Sequence, residues 1–178
     1  MDAQAAIIAS RLDRVADLRR EVKRLREENL RLADENATLL AHFDLAVLAA
    51  ADLAALPSAQ ARFLIVDGWN MILGEGEAVA GMAPRGRIKS PSALIAHFRD
   101  YIAANPDDFV WIVFDGEREN VYGENRIRVS YTGGRGSQRA DRFICDFMRM
   151  ARFKGLASRI KLVTADKKLL KEAARLVD

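Results

Sequence analysis

The segments Phe63-Leu-Ile-Val-Asp67, Val110-Trp-Ile-Val-Phe-Asp115 and Lys161-Leu-Val-Thr-Ala-Asp166 are short hydrophobic runs, and each one ends on an aspartate. Runs of this kind, separated by helical stretches, form parallel sheets, which carry function at the carboxyl ends of their strands. We therefore expect the three aspartates to meet at one edge of a sheet. Carboxylates held together repel each other, and a divalent cation with oxygen ligands relieves that repulsion. The pattern predicts a metal-dependent hydrolase.

The chain around these runs alternates between predicted strands and helices. Hydrophobic patterning predicts strands at 62–66, 109–114, 126–131 and 160–164, and helices at 90–104, 138–154 (with Ser137 as a candidate cap) and 167–177. The strand at 126–131 has one polar face and is expected near an edge of the sheet. The segments 68–89 and 116–125 are predicted as loops. This order predicts a three-layer α/β domain with a central, mainly parallel sheet.

The amino-terminal region carries a different pattern, a seven-residue repeat typical of a coiled coil. One seam position holds only leucine, and the other holds valine, asparagine and phenylalanine; the residues are Leu18, Leu25, Leu32 and Leu39 on the first, and Val15, Val22, Asn29, Asn36 and Phe43 on the second. Pro57 ends the helical pattern. The predicted organisation is a coiled-coil helix at 1–56, a linker at 57–61 and an α/β domain at 62–178.

Asparagine at the second seam position weakens association but selects a parallel, two-stranded arrangement, because each amide can bond its symmetry mate. Glu21 would face Arg26 of a second copy, whereas Arg14 would face Arg19 unfavourably. The repeat therefore predicts a homodimer through the N-terminal coiled coil. Two alternatives stay open: a solvated helix that folds back on its own domain, and a docking site for another protein.

Composition limits the class of protein. The 178 residues are 50% hydrophobic and 30% charged, which is enough for one domain with a core. A net charge of +3 permits a nucleic-acid partner without requiring one. The lone Cys145, the absence of a signal-peptide pattern and the lack of a long apolar stretch predict a cytoplasmic protein without a membrane segment.

Two further polar residues complete the predicted site. Gly68 allows a sharp turn after Asp67, and the amide of Asn70 is placed to orient Asp67 or to contact a phosphate. Asp141 falls in the first turn of a helix, beside its apolar stripe, and is predicted to face the sheet edge. Asp146, about 140° further around that helix, is excluded. For three of the aspartates a purely structural role is the alternative. These roles are a hairpin turn at Asp67, a favourable position at the helix dipole for Asp141, and a helix cap for Asp166.

The four aspartates Asp67, Asp115, Asp141 and Asp166 are therefore predicted to hold one or two Mg²⁺ or Mn²⁺ ions for phosphodiester hydrolysis. Basic and aromatic residues between the second and fourth aspartate suit a single-stranded or looped nucleic acid, although a solvated surface is the alternative. The residues predicted to contact RNA are Arg118, Arg126, Arg128, Arg135, Arg139 and Tyr122.

The motifs Val66-Asp-Gly-Trp-Asn-Met-Ile72, Val113-Phe-Asp-Gly116, Val129-Ser-Tyr-Thr132, Ala140-Asp141 and Val163-Thr-Ala-Asp166 together resemble the NYN-domain family of PIN-like ribonucleases, in particular its YacP-like branch. The resemblance covers the chain from about residue 63 to its end. It implies a Rossmann-like PIN fold, RNA cleavage with a divalent metal bound by carboxylates at the four aspartate positions, and support of the first aspartate by Asn70.

The chain also departs from that family. Gln138 and Arg139 replace the polar or acidic residues often found before the helix aspartate, which bears on metal affinity at Asp141. Two other functions compete with the predicted ribonuclease. One is a catalytically inactive RNA-binding or adaptor domain with the same fold. The other is a receiver-like signalling domain phosphorylated on Asp115, which the residues Gly68 and Trp69 after the first strand disfavour.

Overall fold

The structure is a computed structural model that describes residues 3–73, 88–116, 119–133 and 138–177. The chain divides into two compact units, Met1–Leu39 and Leu40–Asp178. Helix α1 (Ala3–Ala54) is the first element. No helix in the described part of the chain is both long and apolar enough to cross a membrane.

The first unit is helical over its described residues, because its sequence is rich in strong helix formers and in ion pairs one turn apart. Arg24 bonds Glu21 at 2.7 Å and Glu28 at 3.1 Å, and Arg31 bonds Glu35 at 2.8 Å. Exposed pairs of this kind add little to the stability of a helix, because water and salt screen them. These pairs favour the helix, but they do not indicate what its apolar face contacts.

The second unit is built around one five-stranded sheet with helices on both faces. Its strands are β1 (Phe63–Asp67), β2 (Phe109–Phe114), β3 (Glu119–Glu124), β4 (Ile127–Thr132) and β5 (Ile160–Val163). Its helices after α1 are α2 (Gly68–Leu73), α3 (Pro91–Ala104), α4 (Arg139–Phe153) and α5 (Lys167–Val177). The strand order is β3-β4-β2-β1-β5; β4, β2, β1 and β5 are parallel, and β3 is antiparallel to β4.

Alternate residues of the central strands fill two separate cores. Phe63 and Trp111 point into a core shared with α4, α5 and the end of α1, whereas Leu64 and Phe114 point into a core shared with α3. Every residue of β1 and β2 is buried, as expected for central parallel strands covered on both faces. The predicted α/β architecture with a mostly parallel sheet is therefore confirmed.

Local signals predicted the boundaries of several elements well. Strand β2 and helix α5 have the predicted bounds, β1 is shifted by one residue at both ends, and β5 ends one residue earlier than predicted. Helix α3 begins as predicted: the hydroxyl of Ser90 accepts the N–H of Ala93 at 3.2 Å, and Pro91 takes the first helical position. The predicted cap Ser137 lies outside the described residues.

Two predictions about this unit were wrong. The segment from Gly68 to Leu73 is helix α2 and not loop, and the polar segment Glu119–Glu124 is strand β3. Strand β4 lies near an edge of the sheet, as predicted, with β3 as the edge strand outside it. The physical reason is that β3 pairs its backbone with β4, in the register Glu119 opposite Thr132, and adds Val121 to the core, so it needs no continuous hydrophobic pattern.

Candidate active site at the carboxyl edge of the sheet

Asp67 is the last residue of β1, the strand that lies between β2 and β5, and only 2% of it is exposed. Its Oδ2 accepts a hydrogen bond from Nδ2 of Asn70 at 2.6 Å and another from Oγ1 of Thr164 at 2.8 Å. Burial raises the pKa of Asp67 above its ordinary value although both hydrogen bonds act to lower it. The fold therefore holds a carboxylate where its charge is disfavoured.

Helix α2 starts immediately after Asp67, which places Asn70 one turn away. A Cβ on Gly68 would lie 2.2 Å from Cε1 of Phe114, so only glycine allows the chain to turn here against β2. Nε1 of Trp69 donates to the backbone oxygen of Asp115 at 2.8 Å, which ties α2 to the end of β2. The predicted orienting role of Asn70 thus agrees with a direct hydrogen bond, and the hairpin alternative at Asp67-Gly68 is excluded.

Thr164, which follows β5, has a larger role than its sequence suggested. It is 1% exposed, it donates to Asp67, and its Oγ1 accepts the N–H of Asp166 at 3.1 Å. A β-branched residue at the end of a strand is ordinarily expected to pack against its neighbours. Thr164 instead links the first and the last aspartate of the site.

Asp115 follows β2, and its carboxylate is directed at the first residues of α4. Oδ1 accepts the N–H of Arg139 at 2.9 Å and of Ala140 at 2.7 Å, and Oδ2 accepts the N–H of Gln138 at 3.2 Å. Oγ1 of Thr132 lies 3.5 Å from Oδ1, a weak contact. Asp115 is therefore the N-terminal cap of α4, supplied from another part of the sheet.

Asp166 caps its own helix, as the structural alternative proposed. Its Oδ1 accepts the N–H of Lys168 at 2.6 Å and of Leu169 at 3.3 Å at the start of α5. The remaining carboxylate oxygen has no hydrogen bond recorded among the described residues. Capping and proximity to the other aspartates coexist at this position.

Asp141 lies in the first turn of α4 and is half-buried. Burial raises its pKa to about 6, and the charges that add most to this increase are those of Asp67, Asp166, Asp115 and Glu172. These interactions agree with the hydrogen bonds above, which join Asp67 to Asp166 through Thr164 and join Asp115 to the backbone next to Asp141. The neighbours named here as raising the pKa of Asp141 are all carboxylates.

Aspartates that lie in one region do not necessarily form a metal-binding site. Among the described residues, no group of three acidic, histidine or cysteine side chains is arranged to hold a metal ion as it stands. The reason lies in the hydrogen bonds above, because Asp115 and Asp166 turn oxygens toward helix N-termini. Oδ1 of Asp67 accepts only a long bond of 3.4 Å from the N–H of Asn70. Asp67 keeps acceptor capacity at Oδ1, Asp166 keeps it at its second oxygen, and Asp141 lies in the first turn of α4.

The predicted RNA-binding arginines do not all accompany the aspartates. Nη1 of Arg126 donates to the backbone oxygen of Asp107 at 3.3 Å, at the opposite edge of the sheet. Arg128 pairs with Asp52 of α1 at 2.8 Å and lies over the ring of Trp111, 5.4 Å from its centroid. Both arginines serve the packing of the domain away from the aspartates.

The remaining predicted contacts are distributed as follows. Arg139 is the first residue of α4 and is 8% exposed, and Tyr122 of β3 is 45% exposed and hydrogen-bonded to Tyr131. Arg118 and Arg135 lie outside the described residues. Two lysines that were not among the predicted contacts directly follow Asp166 in the chain. Exposed cations next to the site are Arg142, Lys167 and Lys168.

Comparison of the chain with protein-family models, with curated proteins and with solved structures gave no match.

Proposed function

We propose that the unit Leu40–Asp178 is a Mg²⁺- or Mn²⁺-dependent endoribonuclease. The observation that carries the proposal is that Asp67, a buried carboxylate, is joined to Asp166 through Thr164, while Asp115 bonds the backbone next to Asp141. The neighbouring carboxylates also raise the pKa of Asp141. Such a cluster is costly to build and is stabilised by a divalent cation. It is typical of an active site and not of a surface that only needs to be soluble.

The topology supports the same location. The chain leaves β1 toward β2 on one side and returns to β5 on the other, so strand order reverses between β1 and β5. Open α/β sheets bind ligands in the crevice at the carboxyl ends of the strands at such a reversal. Asp67 ends β1 at this point, and Thr164 and Asp166 follow β5.

We assign Asp67 and Asp141 as the residues that would hold the ion. Mg²⁺ requires only one or two carboxylates and keeps several of its waters, which suits two acidic ligands. When bound, the ion would supply Lewis-acid stabilisation of the charge that develops on a phosphodiester during hydrolysis. Asn70 and Thr164 fix the carboxylate of Asp67 through Oδ2 and leave Oδ1 largely unused.

RNA is proposed as the substrate because of the resemblance of the aspartate motifs to the NYN-domain ribonucleases. Exposed Arg142, Lys167 and Lys168 beside the aspartates provide positive charge for a phosphate backbone. Tyr122 offers a partly exposed ring for stacking on an unpaired base.

The test is cleavage of labelled single-stranded and structured RNAs by the full chain in Mn²⁺, in Mg²⁺ and in EDTA. We expect Asp67→Asn to reduce the cleavage rate by at least about 100-fold, because it removes a proposed ligand. Asp146→Asn is the matched control, since Asp146 is an exposed aspartate on α4 that pairs with Arg149 at 2.5 Å. Equal cleavage by wild type and Asp67→Asn would refute the proposal.

A second candidate is an RNA-binding or adaptor domain without turnover. The observation that favours it is that the carboxylates of Asp115 and Asp166 are engaged by helix N-termini. This candidate predicts RNA binding of equal affinity in Mn²⁺ and in EDTA, no cleavage product, and no effect of Asp67→Asn on binding. Binding and cleavage measured on the same RNA therefore separate the two functions.

A further inference from the structure

We infer that Asp115 is a positioning residue, which anchors the start of α4 and thereby sets the place of Asp141, and is not itself a metal ligand. The inference rests on the proposed function in one respect, that Asp141 holds the ion. It also assigns different roles to the four aspartates, which the sequence pattern treats as equivalent.

The first argument comes from the start of α4. The first N–H groups of a helix have no partner within the helix and are normally satisfied by a side chain just before it. Gln138 occupies that position with φ of 67° and makes no side-chain cap. Asp115, 23–25 residues earlier in the chain, accepts the N–H groups of Gln138, Arg139 and Ala140 in its place.

The second argument is the acceptor capacity of the carboxylate. Two oxygens offer about four lone-pair positions. Three backbone N–H groups and the hydroxyl of Thr132 are directed at those of Asp115. The helix dipole adds a favourable field for the negative charge at this end. Little capacity is left for a cation, in contrast to Oδ1 of Asp67, which has a single long bond.

The hydrogen bonds to Asp115 also fix the position of the backbone next to Asp141. Asp141 follows Ala140 directly, so the bond from Ala140 N–H to Asp115 at 2.7 Å fixes the backbone next to the proposed ligand. Because β2 carries Asp115, the first turn of α4 is held against the same sheet edge that carries Asp67. A metal site on two separate elements needs such an anchor, since small displacements of one ligand weaken binding.

The experiment measures two quantities on the full chain: the urea midpoint in EDTA at pH 7.5, and Mn²⁺ affinity from the EPR signal of free Mn²⁺. We expect Asp115→Ala to lower the urea midpoint and to weaken Mn²⁺ binding by about 10–100-fold. Asp115→Asn should recover most of both losses, because its amide oxygen still accepts the N–H groups of Arg139 and Ala140. Asp141→Asn, the matched variant on α4, should keep or raise the urea midpoint and lose Mn²⁺ binding.

Several results would overturn the inference. If Asp115→Asn kept the wild-type midpoint but lost Mn²⁺ binding as Asp141→Asn does, Asp115 would be a ligand. If Asp115→Ala bound Mn²⁺ as wild type does, its role would be confined to stability. If wild type bound no Mn²⁺, the proposed metal site would fail together with the positioning role, and the urea midpoints would still report the helix cap separately.

A different observation concerns the apolar face of the first unit. The seam residues of the seven-residue repeat are large apolar side chains that remain 43–57% exposed, namely Val15, Leu18, Val22, Leu25 and Leu32. Soluble chains seldom expose a continuous stripe of this kind without a partner. We propose that a second copy of this chain covers it, as a parallel two-stranded coiled coil in register.

The polar seam residues identify the occupant and its direction. In a parallel pair, Asn29 faces Asn29 of the partner subunit, and Asn36 faces Asn36 of the partner subunit, so each side-chain amide lies opposite another amide. An antiparallel pair would instead set these amides against leucines. The flanking residues agree, because Glu21 would face Arg26 of the partner subunit, whereas an antiparallel pair would bring glutamates 21, 28 and 35 against one another.

Light scattering during size exclusion of the full chain tests this proposal across a dilution series. We expect twice the chain mass of 19.8 kDa for wild type and a shift to the single-chain mass for Leu25→Lys. Leu30→Lys is the matched control, the same substitution at a residue that is 73% exposed and off the seam. It should remain dimeric.

Orientation is tested with Leu18→Cys, because a parallel pair in register places the two new thiols together. We expect a disulfide-linked dimer under mild oxidation. The natural Cys145 is buried and its thiol pKa is raised to about 11 by burial, so it does not compete. A single-chain mass for wild type would overturn the proposal, and a dimer without the cross-link would overturn its parallel register.

Discussion

Two buried aspartates at opposite edges of the sheet differ in the sign of their pKa shift. Asp108 is 4% exposed and accepts hydrogen bonds from Arg62 and Tyr101. Burial acts to raise the pKa of Asp108, but these bonds outweigh it, and the pKa lies below its ordinary value. Asp67 is equally buried, receives only neutral donors, and has a raised pKa. The guanidinium of Arg62 provides a positive charge next to Asp108, and a bound metal ion would provide one next to Asp67.

The lowered pKa of Asp108 leads to a prediction about how the free energy of unfolding depends on pH. Its folded-state pKa is lower than its unfolded-state value, so its stabilisation is present above the unfolded pKa and is lost as pH falls through the folded pKa. We expect Asp108→Asn to reduce the free energy of unfolding by about 2 kcal/mol at pH 7, the range for a hydrogen bond to a charged group. The difference from wild type should shrink as the pH falls below about 4.

Urea unfolding at a series of pH values measures this difference. Asp107→Asn is the control, because Asp107 is the exposed neighbour of Asp108 and interacts through its backbone oxygen. A difference between Asp108→Asn and wild type that stayed constant from neutral to strongly acidic pH would contradict the assigned role of the ionised carboxylate.

The last turns of helix α1 belong to the core of the second unit. Ala49 and Leu53 are fully buried and Leu56 is 8% exposed, within the core that includes Trp111. The sequence pattern placed the start of the domain after the helix, at residues 57–61, because Pro57 is a local signal. The second compact unit begins at Leu40, and the sequence of α1 has no local signal that distinguishes the turns that pack in this core from the repeat before them.

Leu53 allows a test of this contribution at the level of the helix. We expect Leu53→Ala to lower the free energy of unfolding by about 2–5 kcal/mol, the usual cost of a fully buried leucine. Leu48→Ala on the same helix should cost much less, because Leu48 is 38% exposed. Similar losses for the two substitutions in urea unfolding would show that α1 does not pack as described.

Elements with local signals were predictable and elements with distant partners were not. Strand β2 is a continuous apolar run, and α3 opens with Ser90-Pro91, so both are specified by their own residues. Strand β3 has the sequence Glu-Asn-Val-Tyr-Gly-Glu and exists because β4 offers it a backbone edge. Helix α4 likewise begins at a position fixed by Asp115, and no local pattern indicates that cap.

At the scale of the whole molecule, the convergence of four aspartates was predictable, but their separate roles were not. Parallel strands bring their carboxyl ends together, so Asp67, Asp115 and Asp166 had to share an edge. Which carboxylate oxygens remain available to bind an ion depends on hydrogen-bond donors that are far away in the chain. The direction of β4 likewise sends Arg126 to the opposite edge, and an ion pair with Asp52 withdraws Arg128.

The two outer strands of the described sheet have a consequence for behaviour in concentrated solution. Strands β1 and β2 are long apolar stretches of the kind that assemble into fibrils when their backbone is accessible. They lie inside the sheet, while the sequence of the outer strand β3 includes two glutamates and that of β5 includes Lys161. Charged outer strands resist pairing with another molecule. We therefore expect the polar strand that the hydrophobic pattern overlooked to oppose aggregation.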